Sequence, residues 1–284
     1  MSRIAYVNGA YVPMDMAFVH IEDRGYQFAD GVYEGITVAN GKLIDLEPHL
    51  DRLERSLGEL QIDMPMGRRA MTVVFKETVR RNRLANAFLY IQVTRGVAKR
   101  DHPFPAGAFS TLVVTARRLD LTAVKTRAQV GIKVFSQPDI RWGRCDVKSI
   151  SLLPNILAKQ AAREAGGFEA VMYDEDGFVT EGSSTNIWMV TADGTLVTRS
   201  TDDNILPGIT RATLMKIATE LQMNVETRAF TLEEAKSAAE MFLTSSTSCA
   251  MPIVEFDGVK IGDGTPGAAA KRLAEAYWVY IEAA

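Results

Sequence analysis

Two-residue turns set inside short runs of alternating apolar residues constrain this chain most. A turn such as Asn-Gly accepts positive φ at both positions, and its twist folds the flanking runs onto each other as a hairpin. Asn8-Gly9 divides residues 4–12 in this way, and Asn40-Gly41 follows an alternating run over 32–38. Two more hairpins are expected of 169–173 with 178–180, across Asp174-Glu175-Asp176-Gly177, and of 186–191 with 195–198, across Ala192-Asp193-Gly194. β-Branched and aromatic residues mark further strands over 88–95, 109–116, 130–135 and 241–244.

Helical periodicity fills much of the remainder. Leu46, Leu50, Leu53, Leu57 and Leu60 recur every three or four residues, one face of a helix with Pro48 in its first turn. Arg52 lies beside that stripe, where its side chain turns either inward or to solvent, whereas Arg55 reads as a surface charge. A second helix over 67–82 buries Met71, Val74, Phe75 and Val79, and its end carries Arg80, Arg81 and Arg83 as a solvated face. A helix over 154–164 closes at Gly166-Gly167. The turn at 204–211, opened by Asn204, feeds a helix with Leu214, Ile217, Ala218 and Leu221 inward. Thr231 and Glu234 form a capping box, and Thr265-Pro266 reads as the N-cap and N1 of the last helix.

The 284 residues suit one large domain or two ordinary ones. The polar stretch 117–127 places a linker at 120–128, with domains at 1–119 and 129–284. A net charge of −3 gives no reason to expect nucleic acid or an anionic membrane as partner. Cys145 and Cys249 lack metal-ligand spacing and read as reduced thiols, so no metal is expected. Neither a signal peptide nor a membrane span is visible, and the expected location is the cytoplasm.

Two motifs carry the chemistry. Lys148 follows Asp146 in Cys145-Asp146-Val147-Lys148-Ser149, and Glu181 opens Glu181-Gly182-Ser183-Ser184-Thr185-Asn186. A lysine that can form an imine and a carboxylate that can keep a heterocyclic nitrogen protonated are what pyridoxal phosphate needs. Its phosphate needs converging donors and a cation. The chain offers a helix N-terminus at Gly208-Ile209-Thr210, the four hydroxyls Ser245-Ser246-Thr247-Ser248, and Arg52. It lacks both the Walker pattern and the Rossmann glycine triplet, so nucleotide readings lose their support. The loop 96–105 gathers Lys99, Arg100 and His102.

Tyr33-Glu34, Glu47-Pro48-His49-Leu50-Asp51-Arg52-Leu53, Val147-Lys148-Ser149, Thr180-Glu181-Gly182-Ser183-Ser184-Thr185-Asn186, Leu206-Pro207-Gly208-Ile209-Thr210-Arg211 and the hydroxyl run occur in the order found in class IV (fold type IV) aminotransferases. The chain resembles that family from its first hairpin to its last helix. The resemblance implies an α+β architecture: a small N-terminal α+β domain and a larger C-terminal domain with a barrel-like sheet. The strands and helices read above are compatible with it but do not select it. It also implies pyridoxal 5'-phosphate as cofactor, with Lys148 forming the imine and moving the proton between substrate Cα and cofactor C4′. Glu181 would then face the pyridine nitrogen. Arg52, the backbone of Ile209 and Thr210, and the hydroxyls of Ser246 and Thr247 would hold the phosphate.

Within the family, Tyr33, Arg100 and His102 resemble the α-carboxylate trap of D-amino-acid transaminases. There the arginine and histidine come from the neighbouring subunit, so a homodimer is implied. Arginine suits the task because its planar fork meets a carboxylate in two parallel hydrogen bonds. The implied reaction is ping-pong transamination between a D-amino acid, D-alanine above all, and a 2-oxo acid such as 2-oxoglutarate or pyruvate. Gly35 and Gly143 stand where bulkier residues are expected, which implies a wider side-chain pocket. Leu206-Pro207-Gly208 is similar to branched-chain enzymes, so a branched-chain L-amino-acid or (R)-amine transaminase is the alternative, followed by an aminodeoxychorismate lyase. A non-catalytic binder would be expected to lack Lys148 or Glu181.

Overall fold

A computed structural model describes residues 3–201 and 205–283, so Asn204 of the expected turn lies outside the described residues. The chain divides into two compact units, Met1–Asp120 with Val147–Ser151, and Leu121–Asp146 with Leu152–Ala284.

The first unit contains β1 (Ile4–Val7), β2 (Ala10–Pro13), α1 (Arg24–Phe28), β3 (Gly31–Ala39), β4 (Lys42–Leu43), α2 (Leu46–Glu59), α3 (Arg68–Arg81), β5 (Ala87–Thr94) and β6 (Thr111–Arg118). Its six strands form one antiparallel sheet in the order β2-β1-β6-β5-β3-β4. Asn8 and Gly9 have positive φ, as the hairpin reading requires. Because successive strand residues face opposite ways, Val32, Ile36 and Val38 join Leu89, Ile91, Val93 and Val114 on one face. Leu50, Leu53 and Leu57 of α2 and Met71 and Phe75 of α3 cover that face. Each such side chain contributes about 1.5–3 kcal/mol on burial, which fixes the register of β3. The same alternation sends Glu34 into the core side and Tyr33 to the other.

The second unit contains α4 (Leu121–Val130), β7 (Ile132–Pro138), α5 (Leu153–Glu164), β8 (Glu169–Tyr173), β9 (Val179–Gly182), β10 (Asn186–Val190), β11 (Leu196–Thr198), α6 (Ile209–Glu220), β12 (Val225–Thr227), α7 (Leu232–Lys236), β13 (Glu240–Ser245), β14 (Cys249–Phe256), β15 (Val259–Lys260) and α8 (Ala268–Ala283). Nine strands build a mixed, curled sheet in the order β12-β11-β10-β13-β14-β7-β8-β9, with β15 on β14. Trp188 stacks on Phe242 at 5.4 Å between ring centroids, and Tyr277 and Leu273 of α8 are buried against β13 and β14.

Three expectations differ from what folds. The linker read at 120–128 because it is polar falls almost wholly within helix α4, which buries Val124. The last helix begins at Ala268 rather than at Thr265-Pro266, since Thr265 is drawn into a turn with its N and Oγ1 donating to Asp263 Oδ1 at 2.8 and 2.7 Å. Strand β14, absent from the sequence reading, pairs with β13 directly across the hydroxyl run, making Ser246-Thr247-Ser248 a hairpin turn.

Candidate functional site

Lys148 is fixed by its backbone. Ser149 bridges to Val32, Lys148 O accepts from Tyr33 N at 3.0 Å, and Ile150 N donates to Gly31 O at 3.1 Å. The segment thus adds to the edge of β3, while Val147 is sunk in the core of the first unit and Lys148 N donates to Ser56 Oγ at 3.3 Å. From this fixed backbone the lysine stem leaves toward Tyr33. Its Nζ lies 4.2 Å from the centroid of the Tyr33 ring, and Tyr33 stacks on Tyr90 at 5.6 Å. An amine over an aromatic face is held without being capped by a carboxylate.

Arg52 turns inward. It is 7% exposed, with Nε and Nη2 donating to Glu34 Oε1 and Oε2 at 2.7 and 2.8 Å, and His49 Nδ1 also meets Glu34 Oε2 at 2.7 Å. Burial would push the Glu34 carboxyl up, but Arg52 and then His49 hold it well below its ordinary 4.5. Glu34 therefore stabilises the fold fully above that ordinary value, and the contribution drains away as pH falls toward the depressed native value. Removing one partner from a buried ion pair costs about 3–5 kcal/mol. Glu34→Gln is expected to lower thermal stability by that order at neutral pH. Its melting temperature should also fall less than wild type's between about pH 5 and about pH 3; parallel pH profiles would contradict this.

In the second unit β9 delivers Glu181, 5% exposed, into a set of donors. Arg141 Nη1 makes a short contact with Glu181 Oε1, Asn186 Nδ2 donates to Oε2 at 3.1 Å, and Leu206 N donates to both oxygens at 3.2 Å. Arg141 is itself gripped by Asp139 through Nε and Nη2 at 2.9 and 2.6 Å, and Thr180 Oγ1 donates to Asp139 Oδ2 at 2.7 Å. Burial opposes the charge on Arg141, yet Asp139 and Glu181 keep its pKa above the usual value. Burial pushes the nearby Cys145 thiol up to about 11, so it stays protonated and is no nucleophile.

Two elements of this unit suit an anion. Helix α6 starts at Ile209 with Gly208 as its N-cap, and among the described residues no side chain caps it, so its N-terminus and dipole suit an anion. A Cβ on Gly208 would meet Asn186 Oδ1 at 1.9 Å, so glycine is what lets Asn186 sit between Glu181 and this helix. In the β13–β14 turn Ser248 N donates to Ser245 Oγ at 3.1 Å, which orders the loop that carries Ser246 and Thr247. The donor chemistry of the chain fits pyridoxal phosphate group by group: an amine for its carbonyl, a carboxylate for its ring nitrogen, and a helix end, hydroxyls and a guanidinium for its phosphate.

Arg100 and His102 are brought together, both exposed, around Phe28. The Arg100 guanidinium lies 4.9 Å from the Phe28 centroid, and the His102 ring is 5.7 Å away. Tyr33 is grouped instead with Lys148 and Tyr90, and among the described residues no hydrogen bond or ring contact joins it to either. Gly35 does not open space as expected: a Cβ there would collide with the Phe88 ring at 2.6 Å, so Phe88, with Arg117 over it at 4.9 Å, fills the gap. Gly143 has no atom near its Cβ direction.

Arg141 and Asp139 went unread in the sequence, and Glu34 was read only within the Tyr33-Glu34 motif, without its buried partners. Glu34 had a usable signal, since a charged residue on the core phase of an alternating strand needs a buried partner. Arg141 had none, because its partner Glu181 is forty positions away.

Comparison with known proteins completes this picture. The family model for amino-transferase class IV matches residues 31–256. A D-alanine aminotransferase from Bacillus licheniformis is 40% identical over 266 residues, 94% of this chain and 93% of that protein. One from Staphylococcus haemolyticus is 36% identical, covering 98% and 97%. Among solved structures, a branched-chain aminotransferase from the thermophilic archaeon Thermoproteus uzoniensis, solved with norvaline, superposes with a TM-score of 0.87 at 26% identity, over 99% of this chain and 95% of that one.

Proposed function

The chain belongs to the class IV aminotransferases, enzymes of pyridoxal 5'-phosphate, and we propose that it transfers the amino group of D-alanine to 2-oxoglutarate. The observation that carries the reading is the placement of Lys148, its backbone laddered to β3 and its Nζ over Tyr33. Bound pyridoxal phosphate supplies the electron sink that lets the substrate Cα–H ionise. Lys148 Nζ would hold the cofactor covalently at rest and, once the substrate amine has displaced it, would take the Cα proton and return it to cofactor C4′. Glu181, held by Arg141, Asn186 and Leu206 N, would accept the hydrogen bond of the ring N–H and keep that proton in place. Arg52, the N–H groups of Ile209 and Thr210, and the hydroxyls of Ser246 and Thr247 would hold its phosphate.

Tyr33, Arg100 and His102 orient the substrate by its α-carboxylate, presenting the hydrogen of the D-enantiomer to Lys148. D-specificity is supported by the D-alanine aminotransferases at 40% and 36% identity, against 26% for the branched-chain structure. We place Arg100 and His102 in the partner's active site of a homodimer. Their exposure supports this, as does that of Phe18, Ile21, Tyr26 and Phe109, apolar side chains of the same unit left at 72, 75, 75 and 91% exposure. Steady-state assay should give pyruvate and D-glutamate from D-alanine and 2-oxoglutarate in a ping-pong pattern, with L-leucine at least about 100-fold slower, the discrimination a site achieves through unpaired polar groups. Faster turnover of L-leucine would move the chain to the branched-chain reading.

A further inference from the structure

Loop 97–104 carries Arg100 and His102 with almost no regular structure of its own, yet two buried cations grip it. Arg24, 3% exposed, donates from Nη1 to Asp101 O at 2.6 Å and from Nη2 to His102 O at 3.2 Å, while Nε pairs with Asp30 Oδ2 at 2.7 Å. Arg95, 7% exposed, takes the same Oδ2 at 2.7 Å and Oδ1 at 2.9 Å, donates to Leu60 O and Gln61 O at the end of α2, and lies 3.6 Å from the centroid of Phe104. One carboxylate thus ties α1, the end of β5, the end of α2 and both flanks of the loop. A guanidinium buried on peptide carbonyls is expensive unless an anion compensates it, and Asp30 is that anion. Phe28 completes the arrangement, with the Arg24 and Arg100 guanidiniums each 4.9 Å from its centroid and the His102 ring beside it.

We propose that Asp30, Arg24, Arg95 and Phe28 form a positioning clamp that sets where Arg100 and His102 meet the substrate carboxylate. The proposal rests on the reading of Arg100 and His102 as the carboxylate trap. Arg24 fixes the carbonyls on either side of the His102 side chain, and Phe28 contacts both the Arg100 guanidinium and the His102 ring. None of these four touches the substrate; each acts through the loop. Oriented binding of this kind is sensitive, since a misplacement of about 1 Å can lower rates about 100-fold.

The test compares the holoenzyme with Arg24→Met, Phe28→Leu, Arg100→Met and the double variant Arg24→Met/Arg100→Met. Arg24→Met and Phe28→Leu are each expected to raise KM for D-alanine and for 2-oxoglutarate about tenfold or more, with kcat within about twofold and the visible absorbance of the bound cofactor unchanged. In the Arg100→Met background, Arg24→Met should add little, because residues acting as one unit are not additive. A merely structural role would instead lower the cofactor absorbance or the melting temperature together with kcat. If Arg24→Met misfolds, Phe28→Leu, on a half-buried ring, decides. Unchanged KM in both single variants, with KM raised in Arg100→Met, would overturn the clamp and leave the trap reading standing. A full additive effect in the double variant would also overturn it. Unchanged KM in Arg100→Met would remove the trap itself, and the clamp with it.

Discussion

Lys148→Ala loses transamination by at least about 10⁴-fold, because one side chain serves as both nucleophile and proton carrier. The fold should survive the change. Val147 stays in the core, the β3 ladder is made by backbone atoms, and among the described residues the amine contributes only its contact with the Tyr33 ring, about 0.5–1 kcal/mol. Mass spectrometry after borohydride reduction separates loss of chemistry from loss of folding. Wild type should gain the mass of the cofactor on the peptide containing Lys148, and the variant should gain none while melting within a few degrees of wild type. Retained activity, or labelling of another lysine such as Lys159, would mean that the catalytic amine has been misassigned.

Arg100→Met is expected to lower kcat/KM for D-alanine about 30- to 3,000-fold, the range for removing one partner of a desolvated charge pair. The loss should appear mainly in KM and should fall on both amino acid and oxo acid, since both carry the same carboxylate. The variant also tests subunit sharing. A mixture of Lys148→Ala and Arg100→Met chains, each nearly inactive alone, forms hybrids in which one site keeps both its lysine and its partner's arginine. Random pairing predicts recovery of about a quarter of wild-type activity. No recovery, in a mixture shown to exchange subunits, would place Arg100 and Lys148 in the same protomer's site.

Much of this was legible in the chain itself. The Asn8-Gly9 and Asn40-Gly41 hairpins and the leucine stripe of α2 are local patterns, and the structure forms them where the spacing puts them. Lys148 and Glu181 stood out because their neighbours repeat an ordered family pattern. Pairings over long separations were not legible. The Arg52 side chain lay at the edge of an apolar stripe, and only the inward phase of β3, which buries Glu34, decides its direction. Strand β14 was hidden because Pro252 interrupts its apolar run, although both of its faces are buried from Cys249 to Ile253. Gly35 misled for a related reason: the space vacated by one side chain is filled by a cross-strand neighbour, Phe88, that spacing along one strand cannot reveal.

The most direct measurement is a half-reaction followed by the visible absorbance of the bound cofactor. D-alanine alone should bleach the band with release of one pyruvate per site, and 2-oxoglutarate should restore it, while L-leucine at the same concentration leaves it standing. Bleaching by L-leucine and not by D-alanine would contradict the account at its centre, because Tyr33, Arg100 and His102 would then present the opposite face of the substrate to Lys148.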